Sequence, residues 1–264
     1  MREGIIVAPK LAVALLQSLV KKSGLKRWFR RPRHLLVGSI WGATPAEKKA
    51  FIEVAAASMG SVSIKTIPEP LAAAIGCHLA IDDPHGQILL DVGSGASEVI
   101  IIAQGKIIAG QSIRFGGQHM DNAIAAYLRQ QGCHRISLNE ARRIKESLGN
   151  NAAQLATPLI SSQFLDLPRS KHLNVRDSEL VSALELPLQA ILTMVQNLLQ
   201  EIKPELSVAL IESGMVLTGG GALTYTLKER LESSTGLQVR IAPDPRAAVA
   251  RGCQYALNYF DLVS

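Results

Sequence analysis

Two periods of apolar residues alternate along this chain. Short runs of Val, Ile and Leu bounded by turn residues predict strands near 34–40, 62–67, 87–92, 98–103, 107–114, 214–217 and 238–241. Three- and four-residue spacing predicts helices near 10–22, 119–130, 222–233 and 246–258. Start and stop signals add more. Thr44-Pro45-Ala46-Glu47 reads as a capping box with proline in the first turn, and Gly60 closes that helix. Ser137-Leu138-Asn139-Glu140 reads as a second box. Asp177 or Ser178 is placed to cap a long helix that runs to about Ile202 and stops at Pro204. The strands between 87 and 114 follow one another as a meander, and the others alternate with helices, which predicts an α/β fold.

Composition narrows the class. With 264 residues, 47% hydrophobic and 19% charged, the chain can bury one or two cores. Cys77, Cys133 and Cys253 have no CxxC spacing and predict reduced thiols of a cytoplasmic protein, not a disulfide framework. His78 and His134 each follow a cysteine, but without the spacing of a structural zinc site. The apolar stretch from Ile5 to Val20 is interrupted by Pro9, Lys10 and Gln17 and is too short to span a bilayer. The net charge of +6 is concentrated: residues 21–34 hold seven Lys and Arg and no acid, and the remainder is close to neutral.

The candidate chemistry lies in two glycine turns. Asp91-Val92-Gly93-Ser94-Gly95-Ala96-Ser97-Glu98 sits between Ile88-Leu89-Leu90 and Val99-Ile100-Ile101-Ile102, a strand–turn–strand pattern. Glycine lets backbone N–H groups approach a phosphate, and an acid at the strand end can hold water on a phosphate-bound cation. An ordinary glycine hairpin fits this octapeptide alone equally well. Met215-Val216-Leu217-Thr218-Gly219-Gly220-Gly221-Ala222-Leu223 is a second strand running into glycines and a helical pattern, a place for an anion at a helix start. The pair suggests two lobes facing one nucleotide.

With these motifs the chain resembles the actin, Hsp70 and sugar-kinase ATPases and, within them, the MreB family of bacterial actins. Pro68-Glu69-Pro70-Leu71-Ala72-Ala73-Ala74-Ile75-Gly76 is similar to that family's connecting helix. Ile113-Arg114-Phe115-Gly116-Gly117 with Asp121, Arg143-Ile144-Lys145, Pro243-Asp244-Pro245 and Ala250-Arg251-Gly252 follow in matching order. The resemblance implies an actin-like (ribonuclease H-like) fold with a partial first lobe at 1–76 and a second lobe at 77–264, whose outer part spans about 150–212.

The resemblance also implies ATP with Mg2+ as ligands. Asp91 would hold the metal through water. Gly93, Ser94, Gly95, Ala96 and Ser97 would face the outer phosphates, with Gly116 and Gly117 behind them. Gly219, Gly220 and Gly221 would border the adenosine and inner phosphates, and Lys145 and Glu146 the adenine and ribose. Glu69 would orient the attacking water, although a carboxylate opening a helix after Pro68 reads as simply structural too.

Departures from the family pattern matter as much. No DLGT-like first phosphate loop occurs, and Met1-Arg2-Glu3-Gly4 resembles sequence that lies about seventy residues into the family, hence the expectation of an N-terminal truncation. The family's paired threonines are Ala96 and Ser97, a middle glycine is Ser94, and Gln118 replaces an aspartate. Each lost transition-state donor costs roughly 2.7–4 kcal/mol. Hydrolysis is therefore expected to be impaired, and the first lobe loosely packed or completed by a partner.

The basic run has its own chemistry. Trp28 and Phe29 are flanked by Lys26, Arg27, Arg30 and Arg31. Aromatics insert at headgroup level while each cation near an anionic surface contributes about 1 kcal/mol. The family places a membrane contact here; a solvated basic loop is the plain alternative. One loop is a small footprint for nucleic acid, which is set aside. The resemblance implies a cytoplasmic protein, peripheral on the inner face of the membrane, in filaments with itself or a full-length homologue. Wall-elongation membrane proteins would be further partners, and cell shape the outcome. The alternative is a degenerate, non-hydrolysing module that regulates full-length filaments.

Overall fold

The computed structural model describes residues 5–23, 34–60, 62–150, 175–202 and 204–262. In chain order these form α1 (Pro9–Ser23), β1 (His34–Ser39), α2 (Pro45–Met59), β2 (Ser63–Pro68), α3 (Glu69–Gly76), β3 (Gln87–Val92), β4 (Ser97–Ala103) and β5 (Lys106–Ile113). Then follow α4 (Gly117–Gln130), α5 (Leu138–Asn150), α6 (Asp177–Ala183), α7 (Glu185–Gln200), α8 (Pro204–Ser213), β6 (Met215–Thr218), α9 (Leu227–Thr235), β7 (Val239–Ile241) and α10 (Ala248–Ala256). The α/β expectation holds, and each strand falls within a residue or two of its apolar run.

β1 and β2 pair in parallel as a small sheet, and the larger sheet runs in the order β5-β4-β3-β6-β7. β3, β4 and β5 form the antiparallel meander, whereas β6 and β7 add in parallel on the other side of β3. All seven residues of β4 are buried. A strand covered on both faces has no polar side to alternate, which is why Val99-Ile100-Ile101-Ile102 is continuous.

The period of two then divides the large sheet between two cores. Ile88, Leu90, Val99 and Ile101 pack towards α4 and α7. Leu89, Ile100, Ile102 and Val216 pack on the other face with Ala73, Ala74 and Ala248. α3 and α10 lie tightly together: a side chain at Gly252 would overlap the Ala72 carbonyl, and one at Gly76 the Ala248 carbonyl. The same pair closes the small sheet, where Ala72 and Ala256 join Leu36 and Ile67.

The caps follow their sequence signals. Thr44 Oγ1 accepts from Glu47 N, Glu47 accepts in return from Thr44 N at 2.8 Å, and Gly60 ends α2 at φ 81°. The Ser137 box is likewise formed, Ser137 N donating to Glu140 at 2.7 Å. The long helix expected from 177 to 202 is instead α6 and α7, bent by 49°. Pro187 explains this break: it has no N–H for the Ala183 carbonyl four residues back, and its ring crowds it. The first turn there uses Glu179, which accepts from Arg176 N at 2.7 Å, not a cap by Asp177 or Ser178. The helix expected at 222–233 begins only at Leu227, after a 3₁₀ turn at Gly220–Leu223 and a left-handed Thr226 at φ 65°. The last helix starts at Ala248, with 3₁₀ turns on both sides.

α7, inside the stretch expected to form an outer part, buries Leu188, Ile191 and Val195 in the main core. The residues expected at a membrane, Lys26, Arg27, Trp28, Phe29, Arg30 and Arg31, lie outside the described residues. Among the described residues no single helix is long and apolar enough to cross a membrane; α6 with α7 passes that test only as a bent pair.

The small sheet has a thin core. α1 buries only Val20 and leaves Leu11, Leu15 and Leu19 exposed. Local opening therefore costs less there than around β3 and β4. Hydrogen exchange of the purified chain should show β1 and β2 amides exchanging at least tenfold faster than those of β3 and β4; equal protection would contradict the packing described.

Candidate functional site

β3 and β6 set the site. Their parallel register pairs Asp91 with Thr218, so both strands end at one edge of the sheet and hand over to their glycine turns side by side. Gly219 passes so close to β3 that a side chain there would overlap the Asp91 carboxylate and the Val92 carbonyl, and its φ of 80° favours glycine in any case. Gly221 lies on Val92 in the same manner. The turns do converge, as expected, but they come from neighbouring strands of one sheet and not from opposite lobes. A parallel pairing between distant segments leaves no local mark in sequence.

α4 completes the first turn. Gly117 N donates to Gly93 O at 3.0 Å and Gln118 N to Ser94 O at 2.8 Å, so the helix start satisfies the turn's carbonyls. Gly93 N is tied to Ala96 O at 2.9 Å. A side chain at Gly116 would stand 2.6 Å from Gly93 O, which makes glycine necessary where the two turns meet. Among the described residues, the Ser94, Gly95 and Ala96 amides have no acceptor in the chain. Ser97 turns inward and its hydroxyl donates to Phe115 O at 2.7 Å.

A cleft of about 380 Å³ opens in front of these turns. Gly93, Ser94, Gly117, Lys145, Glu146, Gly220 and Gly221 line it, as the sequence suggested. Gly95, Ala96, Ser97, Gly116 and Gly219 shape the turns without lining it, and Glu69 lies away from it, in the carboxyl group beside Asp91. The sequence reading did not assign Asp121, Arg142, Thr224 or Arg246, which also line it. Asp121 is buried. Its Oδ1 meets the Lys145 ammonium at 2.5 Å and its Oδ2 the Arg142 Nε at 3.0 Å. Lys145 also donates to Gly117 O at 3.0 Å, so this lysine braces the turn from below besides facing the cleft. An Asp in the second turn of α4, with Arg and Lys three apart on α5, was the available signal.

Three carboxyl groups gather behind the turn. Glu69 from α3, Asp91 from β3 and Glu98 from β4 bring oxygens within 4.8 Å of one another. Asp91 and Glu98 are cross-strand partners. Glu98 accepts from Trp41 N, and Arg114 pairs with Glu47 at 2.6 Å, so two contacts join the end of β1 and the start of α2 to the larger sheet. Burial pushes Asp91 up to about 7, with Glu69 adding repulsion. Burial likewise pushes Glu98 up to about 9, the Trp41 amide opposing and the two neighbouring acids reinforcing it. Glu69 is raised by burial. Asp91 is buried and no ion pair to it is formed among the described residues, so the group fits a hydrated cation that would supply the missing positive charge.

The chain matches the family described as "MreB/Mbl protein" over residues 1–264. It belongs to the MreB/Mbl family. It is 34% identical over 266 residues to the cell shape-determining protein MreB of Escherichia coli (strain K12), covering 99% of this chain and 76% of that one. It is 29% identical over 265 residues to the cell shape-determining protein Mbl of Bacillus subtilis (strain 168), 99% and 78% covered. Among solved structures, MreB 5 of Spiroplasma citri bound to AMPPNP is similar with a TM-score of 0.84 at 25% identity, covering 99% of this chain and 78% of that one. A MamK double helical filament has a TM-score of 0.76 at 18% identity, covering 98% and 79%, which supports the actin-like fold alone.

The carboxyl group gives a pH dependence with a definite sign. Asp91 and Glu98 bind protons more tightly folded than unfolded, so their contribution is fully present below about pH 4 and is lost as pH rises towards about 7 and 9 respectively. Without divalent cations, thermal unfolding should show stability falling by a few kcal/mol between pH 5 and 9, and Glu98→Gln should flatten much of that fall. A pH-independent melting temperature would contradict it.

Proposed function

We propose that this chain is an actin-like cytoskeletal protein of cell shape that binds an adenine nucleotide in the cleft between the Gly93 and Gly220 turns. The observation that carries the reading is the shared sheet edge, where the turn holding the unpaired amides of Ser94, Gly95 and Ala96, with Ser94 lining the cleft, stands beside the glycines after β6. Such amides suit phosphate oxygens. Residues 1–76 and 77–264 are the proposed lobes. The AMPPNP and ADP carried by the Spiroplasma citri structures support ATP or ADP as the ligand. Asp91, with Glu69 and Glu98 beside it, would hold Mg2+ through water, and the ion would neutralise charge on the outer phosphates.

Turnover by the chain alone is the weaker part of this chemistry. Ala96 offers no hydroxyl, and the Ser97 hydroxyl is already given to Phe115 O, so Ser94 supplies the turn's hydroxyl on the cleft side. Glu69 can position a water only if its raised proton affinity is overcome by a neighbouring cation. These two observations favour, as a second reading, a non-hydrolysing module that regulates filaments built by a homologue. Self-association is proposed by analogy with the double helical filament of MamK, a protein of the same fold. Wall-elongation membrane proteins are the further partners proposed.

Membrane contact is proposed for Trp28 and Phe29 with Lys26, Arg27, Arg30 and Arg31. The supporting observation is charge: α1 carries no acid, ends in Lys21 and Lys22, and leads into this run. Placement on the anionic inner face of the cell membrane is proposed on the same ground.

Calorimetric titration with ADP and Mg2+ should give a micromolar dissociation constant, and Gly220→Val should weaken it at least tenfold by filling the cleft. No heat at millimolar nucleotide would reject nucleotide binding. Phosphate release at background would favour the non-hydrolysing reading, and steady release would reject it. Vesicles with phosphatidylserine should float the chain, and Trp28→Ser with Phe29→Ser should reduce flotation about tenfold or more. Undiminished flotation would discard insertion.

A further inference from the structure

Among the described residues, the cations Arg142, Lys145 and Arg246 line the cleft, and they are not equally engaged. Lys145 is 11% exposed and is committed to Asp121 at 2.5 Å and to the Gly117 carbonyl at 3.0 Å. Arg142 holds the other oxygen of the same buried aspartate at 3.0 Å. Removing either would leave one oxygen of a buried carboxylate without its cation, so neither is readily released to a ligand. Arg246 differs. Its NH2 reaches Glu146 Oε1 at 3.5 Å, and the two side chains are 59% and 45% exposed. A long, solvent-exposed pair of this kind contributes little and is screened by salt.

The backbone below Arg246 is held firmly. Pro245 O accepts from Gly219 N at 3.1 Å and from the Thr218 hydroxyl at 3.2 Å, which ties the segment before α10 to the glycine turn after β6. Arg246 therefore projects from a fixed point beside that turn, and its guanidinium is the cation able to exchange partners at small cost. A guanidinium meets phosphate oxygens with a two-pronged geometry that an exposed single contact to Glu146 does not use.

We propose that Arg246 is a further ligand-contacting residue of the cleft, leaving Glu146 to bind a phosphate oxygen of a nucleoside polyphosphate. This rests on the nucleotide reading of the cleft above. It makes Arg246 a determinant of affinity for the charged part of the ligand and not for the base. Glu146, once released, is free to accept from the ligand's sugar or base.

The test is titration calorimetry of the full chain with ADP and with adenosine, for the unaltered protein and Arg246→Ala, at low and high salt. Arg246→Ala should weaken ADP about tenfold at low salt, with the difference shrinking at high salt, should not weaken adenosine, and should leave the melting temperature unchanged. An equal loss for adenosine and ADP would overturn the phosphate assignment, as would unchanged ADP affinity. Failure of the unaltered protein to bind ADP is a different result: it removes the nucleotide reading itself, and this proposal with it.

Discussion

The parallel pairing of β3 with β6 is the constraint on which the rest depends. It places Asp91 beside Thr218, and so puts two chain reversals at one sheet edge with no room for side chains between them. Gly219 and Gly221 are glycines because β3 is already there. The antiparallel pairing of β3 with β4 does the complementary work on the other side, bringing Glu98 opposite Asp91. One central strand thus delivers the amide cradle and the acidic cluster together. The buried Ile and Leu of β3 and β4, divided between two cores, hold that strand in register, because a one-residue slip would exchange its two faces.

Charge is arranged in two different ways around this edge. Asp121 is buried with two cations, Lys145 and Arg142, both of which come from α5. That network is locally balanced and braces α4 and the Gly117 carbonyl beneath the first turn. Asp91 and Glu98 are buried and Glu69 is half-buried, no ion pair to them is formed among the described residues, and burial raises the proton affinity of all three. A protein that keeps three carboxyl groups within 4.8 Å must protonate them or supply a cation. The first network is balanced by its own cations, and the second is the one proposed to take an ion.

Much of the fold was legible because its signals are local. Buried strands such as Val99-Ile100-Ile101-Ile102 announce themselves as apolar runs, and the Thr44 and Ser137 boxes carry their own hydrogen-bond logic. The Asp91 turn was legible for the same reason. The break at Ala183 was legible too, in Pro187, but a strong helical period on either side masks a single proline. Other features come from contacts between distant segments. Gly76 and Gly252 are ordinary helix residues until α3 meets α10, and the pairing of Asp121 with Arg142 and Lys145 looks like two solvated helix faces until α4 meets α5. The convergence of the two glycine turns was foreseen, but their origin in one sheet required the topology.

The central claim is that the amides after β3 and the glycines after β6 grip one ligand. The most direct measurement is amide chemical-shift mapping of the isotope-labelled chain during addition of AMPPNP with Mg2+. Ser94, Gly95, Gly220 and Gly221 should shift together along a single saturating curve. Shifts confined to one of the two turns, or elsewhere on the surface with both turns unmoved, would contradict it.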